Sequence, residues 1–256
     1  IIVQYYQNNR LELNLSKSFA LIIGGNVSDS ALNELKVYGI SVTQSLKYLG
    51  VQIDPKLTFE DFSESISKKL NQAIGATAVL RNKLTLKPLM DFYFAHFHSH
   101  LSYGTFLLIR SSSKTLRNLQ ILQNRIIKLI FKLSPITSTH ILFTDYAKNV
   151  LPVMGQIFMS ICQIVKKSLL ENVEELIKVE KLRSERTKML KINTSSTRIR
   201  SNDIEILGPE IYNSLPAEIR DIGHLKPFKS KLKQFLLSKS TSLVSPLQFT
   251  TRNKIL

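Results

Sequence analysis

His96, His98 and His100 stand within five residues of one another and are the first side chains in this sequence whose type and spacing could do chemistry. Histidine is a common zinc ligand, but zinc sites in proteins take three or four ligands. The flanking residues have an apolar rhythm typical of a helix, on which His96 and His100 share a face and His98 points roughly the opposite way. The single cysteine, Cys162, is remote in the sequence. We therefore expect packing and surface histidines, and no metal site.

A cationic helix is the second candidate for chemistry. Residues 114–133 are predicted to be helical, with five cations within about 80° of arc: Lys114, Arg117, Arg125, Lys128 and Lys132. No acidic residue lies between Lys114 and Lys132. The opposite side is apolar, formed by Leu116, Leu119, Leu122, Ile126, Ile127, Leu129, Ile130 and Leu133. This pattern predicts phosphate contacts on one face and a core on the other, with Lys68 and Lys69 adding charge nearby. The alternative is an ordinary solvated helix face.

The charge balance favours an anionic partner. The 256 residues have a net charge of +16 and a pI near 9.9. Such an excess is typical of proteins that bind nucleic acid or, as a second choice, a membrane surface. Residues 1–60 carry 5 basic and 5 acidic side chains, so the whole excess lies after residue 60.

Hydrophobic periodicity predicts an α+β fold that is mostly α. Two apolar runs, 19–25 and 46–54, are predicted as short strands. Helical spacing begins near Asp61 and predicts helices over 61–84, 87–109, 114–133, 152–182 and 226–239. A linker or a β-like excursion is expected over 184–203, a short turn-bounded segment over 208–221, and a loose tail after Ser240. These changes divide the chain into residues 1–60, 61–150, 151–183 and 184–256.

Hydropathy and the first ten residues bear on membrane insertion and targeting. No window approaches eighteen uninterrupted apolar residues, so we expect no membrane-spanning segment and no membrane partner. The first ten residues lack a signal-peptide pattern, and they resemble a start inside an element of a longer protein. One cysteine excludes an internal disulfide framework and fits a reducing, intracellular compartment.

Four blocks of sequence occur in an order that is found in one known family. In NNRLELNLSKSFALIIGG (8–25) the matching residues are Leu11, Leu13, Asn14 and Lys17, with Ser18 in place of threonine. In LKYLGVQIDPKLTF (46–59) they are Tyr48, Leu49, Gly50, Val51, Ile53, Asp54 and Leu57. The third block is SHLSYG (99–104) with LQILQNRIIKLIF (119–131), and the fourth is GPEIYNSLPAEIRDIGHLKPFKSKLKQFLL (208–237). Together they resemble non-LTR (LINE-type) retrotransposon reverse transcriptases.

The resemblance implies the end of a palm over 1–60, with short antiparallel strands, followed by a helical thumb-like bundle and a C-terminal helix. In that family Lys17 would assist the pyrophosphate leaving group, and Tyr48, Leu49 and Gly50 would form a primer-grip-like segment against the primer end. The alternatives are a solvated lysine and a buried strand. The implied partners are an RNA template and a DNA primer, or an RNA–DNA duplex, together with the N-terminal part of the polymerase. The implied compartment is the nucleus.

The family's metal-binding aspartates lie upstream of the first block, and this chain begins after them. Two-metal phosphoryl transfer needs such carboxylates, so we expect no polymerase activity from this chain alone and no cofactor in it, whereas the full-length parent enzyme would use Mg²⁺. The family's tryptophans are also replaced, by Phe59, by Tyr212 and by an aliphatic residue near Leu108. A non-catalytic basic nucleic-acid-binding module and an inactive retroelement remnant therefore remain as alternatives.

Overall fold

The computed structural model describes residues 5–6, 8–12, 14–24, 30, 33, 36, 39–171, 189–190 and 204–243. The chain forms two compact units, Ile1–Phe62 and Ser63–Leu256. Two short pairs of strands precede a long series of helices. The predicted fold class, α+β and mostly α, is therefore confirmed.

The first unit contains a 3₁₀ turn at Leu15–Lys17 and two separate strand pairs. Strands β1 (Phe19–Leu21) and β2 (Ser41–Thr43) pair in parallel, which differs from the antiparallel strands expected. Parallel strands need a long crossover connection rather than a tight hairpin, and the residues between β1 and β2 are numerous enough to provide one. Strands β3 (Leu46–Tyr48) and β4 (Val51–Ile53) pair in the expected antiparallel sense.

The apolar run at 46–54 forms a hairpin instead of one strand. Leu49 and Gly50 lie between β3 and β4 with φ of 46° and 83°. Positive φ at both central residues is characteristic of the two-residue type I′ turn, whose twist matches that of the flanking strands. Glycine accepts this conformation without strain, but leucine does so rarely. The turn therefore depends on Gly50, which the aliphatic composition of the run concealed.

Asp54 organises the loop that follows β4. Its carboxylate accepts hydrogen bonds from the backbone N–H groups of Lys56 at 3.0 Å, Thr58 at 3.1 Å and Phe59 at 2.7 Å. Desolvation is the largest single influence and raises the pKa of this carboxyl. The hydrogen bonds, led by the one from Thr58, together outweigh it, so the pKa lies below its ordinary value. The loop then leads into helix α1 (Glu60–Leu80), which has Glu60 and Asp61 in its first turn. Negative side chains there are favoured by the helix dipole.

The second unit is helical. A continuous helical run comprises α2 (Leu86–Phe92), a π-helical segment (Tyr93–His98) and α3 (Ser99–Ser102). After it come a 3₁₀ segment (Thr105–Arg110), α4 (Ser113–Ile130), α5 (Thr139–Ile141), a second π-helical segment (Leu142–Tyr146) and α6 (Val153–Glu171). The last described helices are α7 (Ile204–Asn213), α8 (Ala217–Arg220), α9 (Leu225–Ser238) and α10 (Ser240–Leu243).

Helix α6 lies at the centre of this unit and packs against α7, α9 and the 3₁₀ segment. It is long and apolar enough to cross a membrane by length and composition, but 61% of its most apolar window is buried inside the fold. A helix that fills a protein core passes the same test. The predicted helical residues after Glu171 lie outside the described residues. So does the predicted linker, apart from Met189 and Leu190. The Leu190 N–H donates to Asn213 Oδ1 at 2.9 Å, and its C=O accepts from Asn213 Nδ2 at 2.8 Å.

Helix α7 falls where a short turn-bounded segment was predicted. Gly208 and Pro209 favour turns, because glycine is flexible and proline removes a helical N–H. Packing overrides that preference. A Cβ atom at Gly208 would lie 3.0 Å from Cγ2 of Val165 on α6, so glycine lets the two helices approach closely. Ile211 and Tyr212 on α7 are buried as a result.

Candidate nucleic-acid interface

The candidate interface is the outward side of α4. The helix begins where Ser112 Oγ accepts a hydrogen bond from the Thr115 N–H at 3.2 Å, an ordinary N-cap. Five of the eight apolar residues predicted for its inward side are buried, namely Leu116, Leu119, Ile126, Ile127 and Ile130. Leu122 and Leu129 are half-buried, and Leu133 lies beyond the end of the helix. Burial of this side against the rest of the second unit fixes which side chains point outward.

Three predicted cations are exposed on the outward side: Lys114, Arg117 and Arg125. Among the described residues none of the three makes an ion pair. Elsewhere in the described chain, Lys68 pairs with Glu64 at 2.9 Å and Lys167 with Glu171 at 3.7 Å. We call Lys114, Arg117 and Arg125 the cationic face. Their head groups are free to reach a phosphate backbone without first leaving an acidic partner.

Lys128 and Lys132 differ from this picture. Lys128 is half-buried, and its Nζ donates to the Pro135 carbonyl oxygen at 2.6 Å, so it also ties down the chain after the helix. Lys132 lies beyond the helix, which ends at Ile130 and not at the predicted residue 133. The prediction that Lys132 lies on the helix face is therefore wrong.

The reason is the way in which α4 terminates. The Leu133 N–H donates to the Lys128 carbonyl at 2.9 Å, and the Lys132 N–H donates to the Leu129 carbonyl at 3.3 Å. This pair of bonds is the Schellman motif, which requires a left-handed residue that is usually glycine. Lys132 occupies that position with φ of 54°. Because the residue at this position is not glycine, the sequence did not indicate that the helix ends here.

Lys68 and Lys69 lie on α1 and are exposed. The Lys68–Glu64 pair is formed one helical turn apart, with both side chains largely exposed, so it contributes little stability. Lys69 lies close enough to His100 to lower the pKa of that imidazole, after the larger effect of desolvation. These two lysines thus belong to a different helix from the cationic face.

Sequence reasoning missed a buried amide network on the inward side of α4. Gln123 is fully buried, and its Nε2 donates to the Tyr93 hydroxyl at 3.1 Å and to the Leu151 carbonyl at 2.9 Å. Gln120 Nε2 donates to Gln123 Oε1 at 3.0 Å, while Gln120 Oε1 accepts from the Val153 N–H at 2.9 Å, capping α6. These bonds join α4 to the π-helical segment and to the start of α6.

Both glutamines fall on the apolar side of α4, and this position on the helix was the one sequence signal that they are buried. The hydrophobic pattern alone did not reveal it, because glutamine counts as polar in a periodicity analysis. We call Gln120 and Gln123, with their partners, the glutamine network. It fixes the inward side of α4 by hydrogen bonds as well as by apolar packing.

The histidines separate as the spacing predicted. His96 and His100 are near enough for His96 to lower the pKa of His100, whereas His98 lies beside Lys233, on α9. Desolvation, and secondly the charge of Lys233, lowers the pKa of His98. In the described part of the chain, no group of three or more His, Cys, Asp or Glu side chains could hold a metal ion.

The residues predicted to support polymerase chemistry lie in the first unit. Lys17 is exposed at the end of the 3₁₀ turn, before β1. Tyr48 is 61% exposed and Leu49 is 74% exposed, at the tip of the β3–β4 hairpin with Gly50. The alternative reading of these three residues as a buried strand is therefore wrong. Leu13 of the first sequence block lies outside the described residues.

Tyr212 has a clear packing role. Lys166 on α6 is buried, and its Nζ donates to the Arg220 carbonyl at 2.8 Å and to the Tyr212 hydroxyl at 3.3 Å. The same Nζ lies 5.3 Å from the centre of the Phe228 ring, a cation–π contact. Burial raises the pKa of Tyr212. This cluster joins α6, α7, α8 and α9.

Helix α9 is a second basic element. Phe228, Leu232 and Leu236 on its inner side are buried, and Phe235 is half-buried. The helix carries Lys226, Lys229, Lys231 and Lys233 and no acidic residue. A comparison of the whole chain with protein-family models, with curated proteins and with solved structures gives no match.

Proposed function

We propose that this chain is the C-terminal portion of a retrotransposon-type RNA-directed DNA polymerase, where it holds the primer–template through phosphate contacts. Its partners are then an RNA template and DNA primer, or an RNA–DNA duplex, and the N-terminal part of the polymerase. The four sequence blocks support the polymerase assignment. The cationic face supports the binding role.

One observation carries the binding role: Lys114, Arg117 and Arg125 are exposed on a helix whose other side is buried. Lysine and arginine contacts to phosphate are independent of sequence and release condensed counterions. A helix fixed by its inward side presents these cations on a rigid support, which reduces the entropy lost on binding. A polymerase needs this kind of grip, because it must hold every template sequence equally well.

The test is the salt dependence of binding to an RNA–DNA duplex. With the three phosphate contacts that the cationic face can make, affinity should fall by about one to two powers of ten between about 50 and 200 mM salt. Replacing Arg117 and Arg125 together by alanine should reduce the slope of log K against log salt by about 1.5 to 2. These two are preferred to Lys128, which also bonds Pro135.

A matched control is Lys148→Ala with Lys167→Ala, which removes the same charge from exposed positions outside α4. Its slope should equal that of the wild type. If the arginine double variant keeps wild-type affinity and slope, the cationic face is ordinary solvated surface and the binding role is wrong. The polymerase assignment would then depend on the resemblance alone.

A further inference from the structure

A cavity of about 280 Å³ opens in the second unit between the π-helical segment, α6 and α9. This volume is at the lower end of the range for small-molecule sites, roughly 300 Å³ and above, so it suits one ring system and not a large ligand. Phe94, Val150 and Met159 contribute apolar walls. Lys233 contributes a cation, and no acidic side chain lines the cavity among the described residues.

Two polar atoms of the cavity wall have no hydrogen-bond partner among the described residues. Gln156 is 6% exposed, and its Nε2 donates to the Leu151 carbonyl at 3.0 Å. Because that carbonyl can only accept, the orientation of the amide is determined and Oε1 is the atom without a partner. His98 Nδ1 is likewise buried without a partner. Buried polar atoms in folded proteins are nearly always bonded to protein, water or a ligand.

The wall therefore combines an exposed aromatic ring, a cation and under-satisfied hydrogen-bonding groups. Phe94 is 39% exposed, and its ring meets the His98 ring edge-to-face at 5.4 Å between centroids. A flat heteroaromatic group can stack on such a ring, and any of the nucleic-acid bases can do so. Its N–H groups can complete the bonding of Gln156, and an attached anion can meet Lys233. A nucleotide has all three parts.

We propose that this cavity binds the base of one unpaired nucleotide, with the adjoining phosphate at Lys233. The proposal rests on the nucleic-acid binding proposed above, since the nucleotide would belong to a single-stranded part of the template or primer. The cationic face would hold the duplex, and the cavity would hold an unpaired base of the same nucleic acid.

The probe is AMP, measured by equilibrium dialysis against the whole chain, with ribose 5-phosphate and adenosine as fragments. AMP should saturate one site, and each fragment should bind at least about ten-fold more weakly, because each lacks either the stacking base or the phosphate. Phe94→Leu and Lys233→Met should each weaken AMP about ten-fold. Gln156→Met should weaken it about five-fold. Lys231→Met removes the same charge from α9 outside the cavity wall and should leave AMP affinity unchanged.

Two results would overturn the proposal. If AMP shows no saturable binding up to about 10 mM, water alone occupies the cavity. If ribose 5-phosphate binds as tightly as AMP, the site recognises only an anion. The salt dependence of duplex binding is measured on the same samples. If it is as expected but AMP does not bind, the cavity proposal alone is refuted. If AMP binds but duplex binding does not depend on salt, the cationic face alone is refuted.

Discussion

On the inward side of α4, Gln120 and Gln123 hold fixed positions through hydrogen bonds to three other segments. On the outward side of the same helix, Arg117 and Arg125 have no described partner and are exposed. One helix thus carries polar residues of two kinds. Those inside should determine whether the helix is in place, and those outside should determine what the helix binds.

The largest expected effect comes from breaking the inward side. Gln123→Ala removes three hydrogen bonds and leaves a buried space. The free energy of unfolding should fall by about 2–4 kcal/mol. Arg125→Ala, two residues away on the outward side, should change it by less than about 0.5 kcal/mol. Urea unfolding followed by circular dichroism measures both. Equal losses for the two variants would contradict the division of α4 into two functional sides.

Two lysines extend the comparison beyond α4. Lys166 is 6% exposed and bonds the Arg220 carbonyl and the Tyr212 hydroxyl, whereas Lys114 is exposed. Lys166→Ala should lower the free energy of unfolding by about 2–3 kcal/mol, because packing and hydrogen bonds are both lost. Lys114→Ala should cost less than about 0.5 kcal/mol. The same measurement applies, and a negligible cost at Lys166 would show that the cluster does not stabilise the fold.

His98 gives a test by pH. Desolvation and the charge of Lys233 lower its pKa in the folded chain below the ordinary value of 6.5. The unfolded chain therefore binds more protons as pH falls through 6.5 toward the lowered pKa, and stability decreases in that window. His98→Asn should make the free energy of unfolding less dependent on pH between about 5.5 and 7.5. An exposed histidine variant, His140→Asn, controls for loss of any imidazole. If the free energy of unfolding of the His98 variant depends on pH as strongly as that of the wild type, the His98 imidazole is exposed to solvent and not buried.

The smallest expected effect is a gain at the end of α4. Lys132 holds a left-handed backbone conformation that glycine adopts without strain. Lys132→Gly should raise the free energy of unfolding by about 0.5–1 kcal/mol. Lys132→Ala loses the same charge without the conformational relief and should not stabilise the chain. Thermal unfolding of the two variants side by side distinguishes the effects, and a loss with Gly would mean that the Lys132 side chain makes a stabilising contact.

Sequence reasoning predicted the parts of this molecule that depend on periodicity. The start of α4, its apolar side and the buried side of α9 through Phe228 and Leu232 all follow from spacing. It failed where tertiary contacts decide. Gln120 and Gln123 are buried because partners on other segments satisfy their amides, and a pattern of polar and apolar letters cannot show partners.

Three further differences have local causes. Helix α7 forms through Gly208 and Pro209 because close packing on Val165 outweighs their helix-breaking tendency. The β3–β4 hairpin turns at Leu49, a residue that rarely takes positive φ. Helix α4 ends at Ile130, before the predicted residue 133, because Lys132 takes the left-handed conformation that usually belongs to glycine. In each case a residue adopts a conformation or makes a contact that its residue type does not predict.

Lysine footprinting tests the central claim most directly, that the outward side of α4 contacts nucleic-acid phosphates. The chain is acetylated with and without saturating RNA–DNA duplex at low salt, and modification of each lysine is measured by mass spectrometry. Lys148 and Lys167, exposed on other segments of the chain, serve as references. We predict that duplex slows acetylation of Lys114 several-fold and leaves both references unchanged. If Lys114 is modified at the same rate while the duplex is bound, the contact surface lies elsewhere and the cationic face is not the interface.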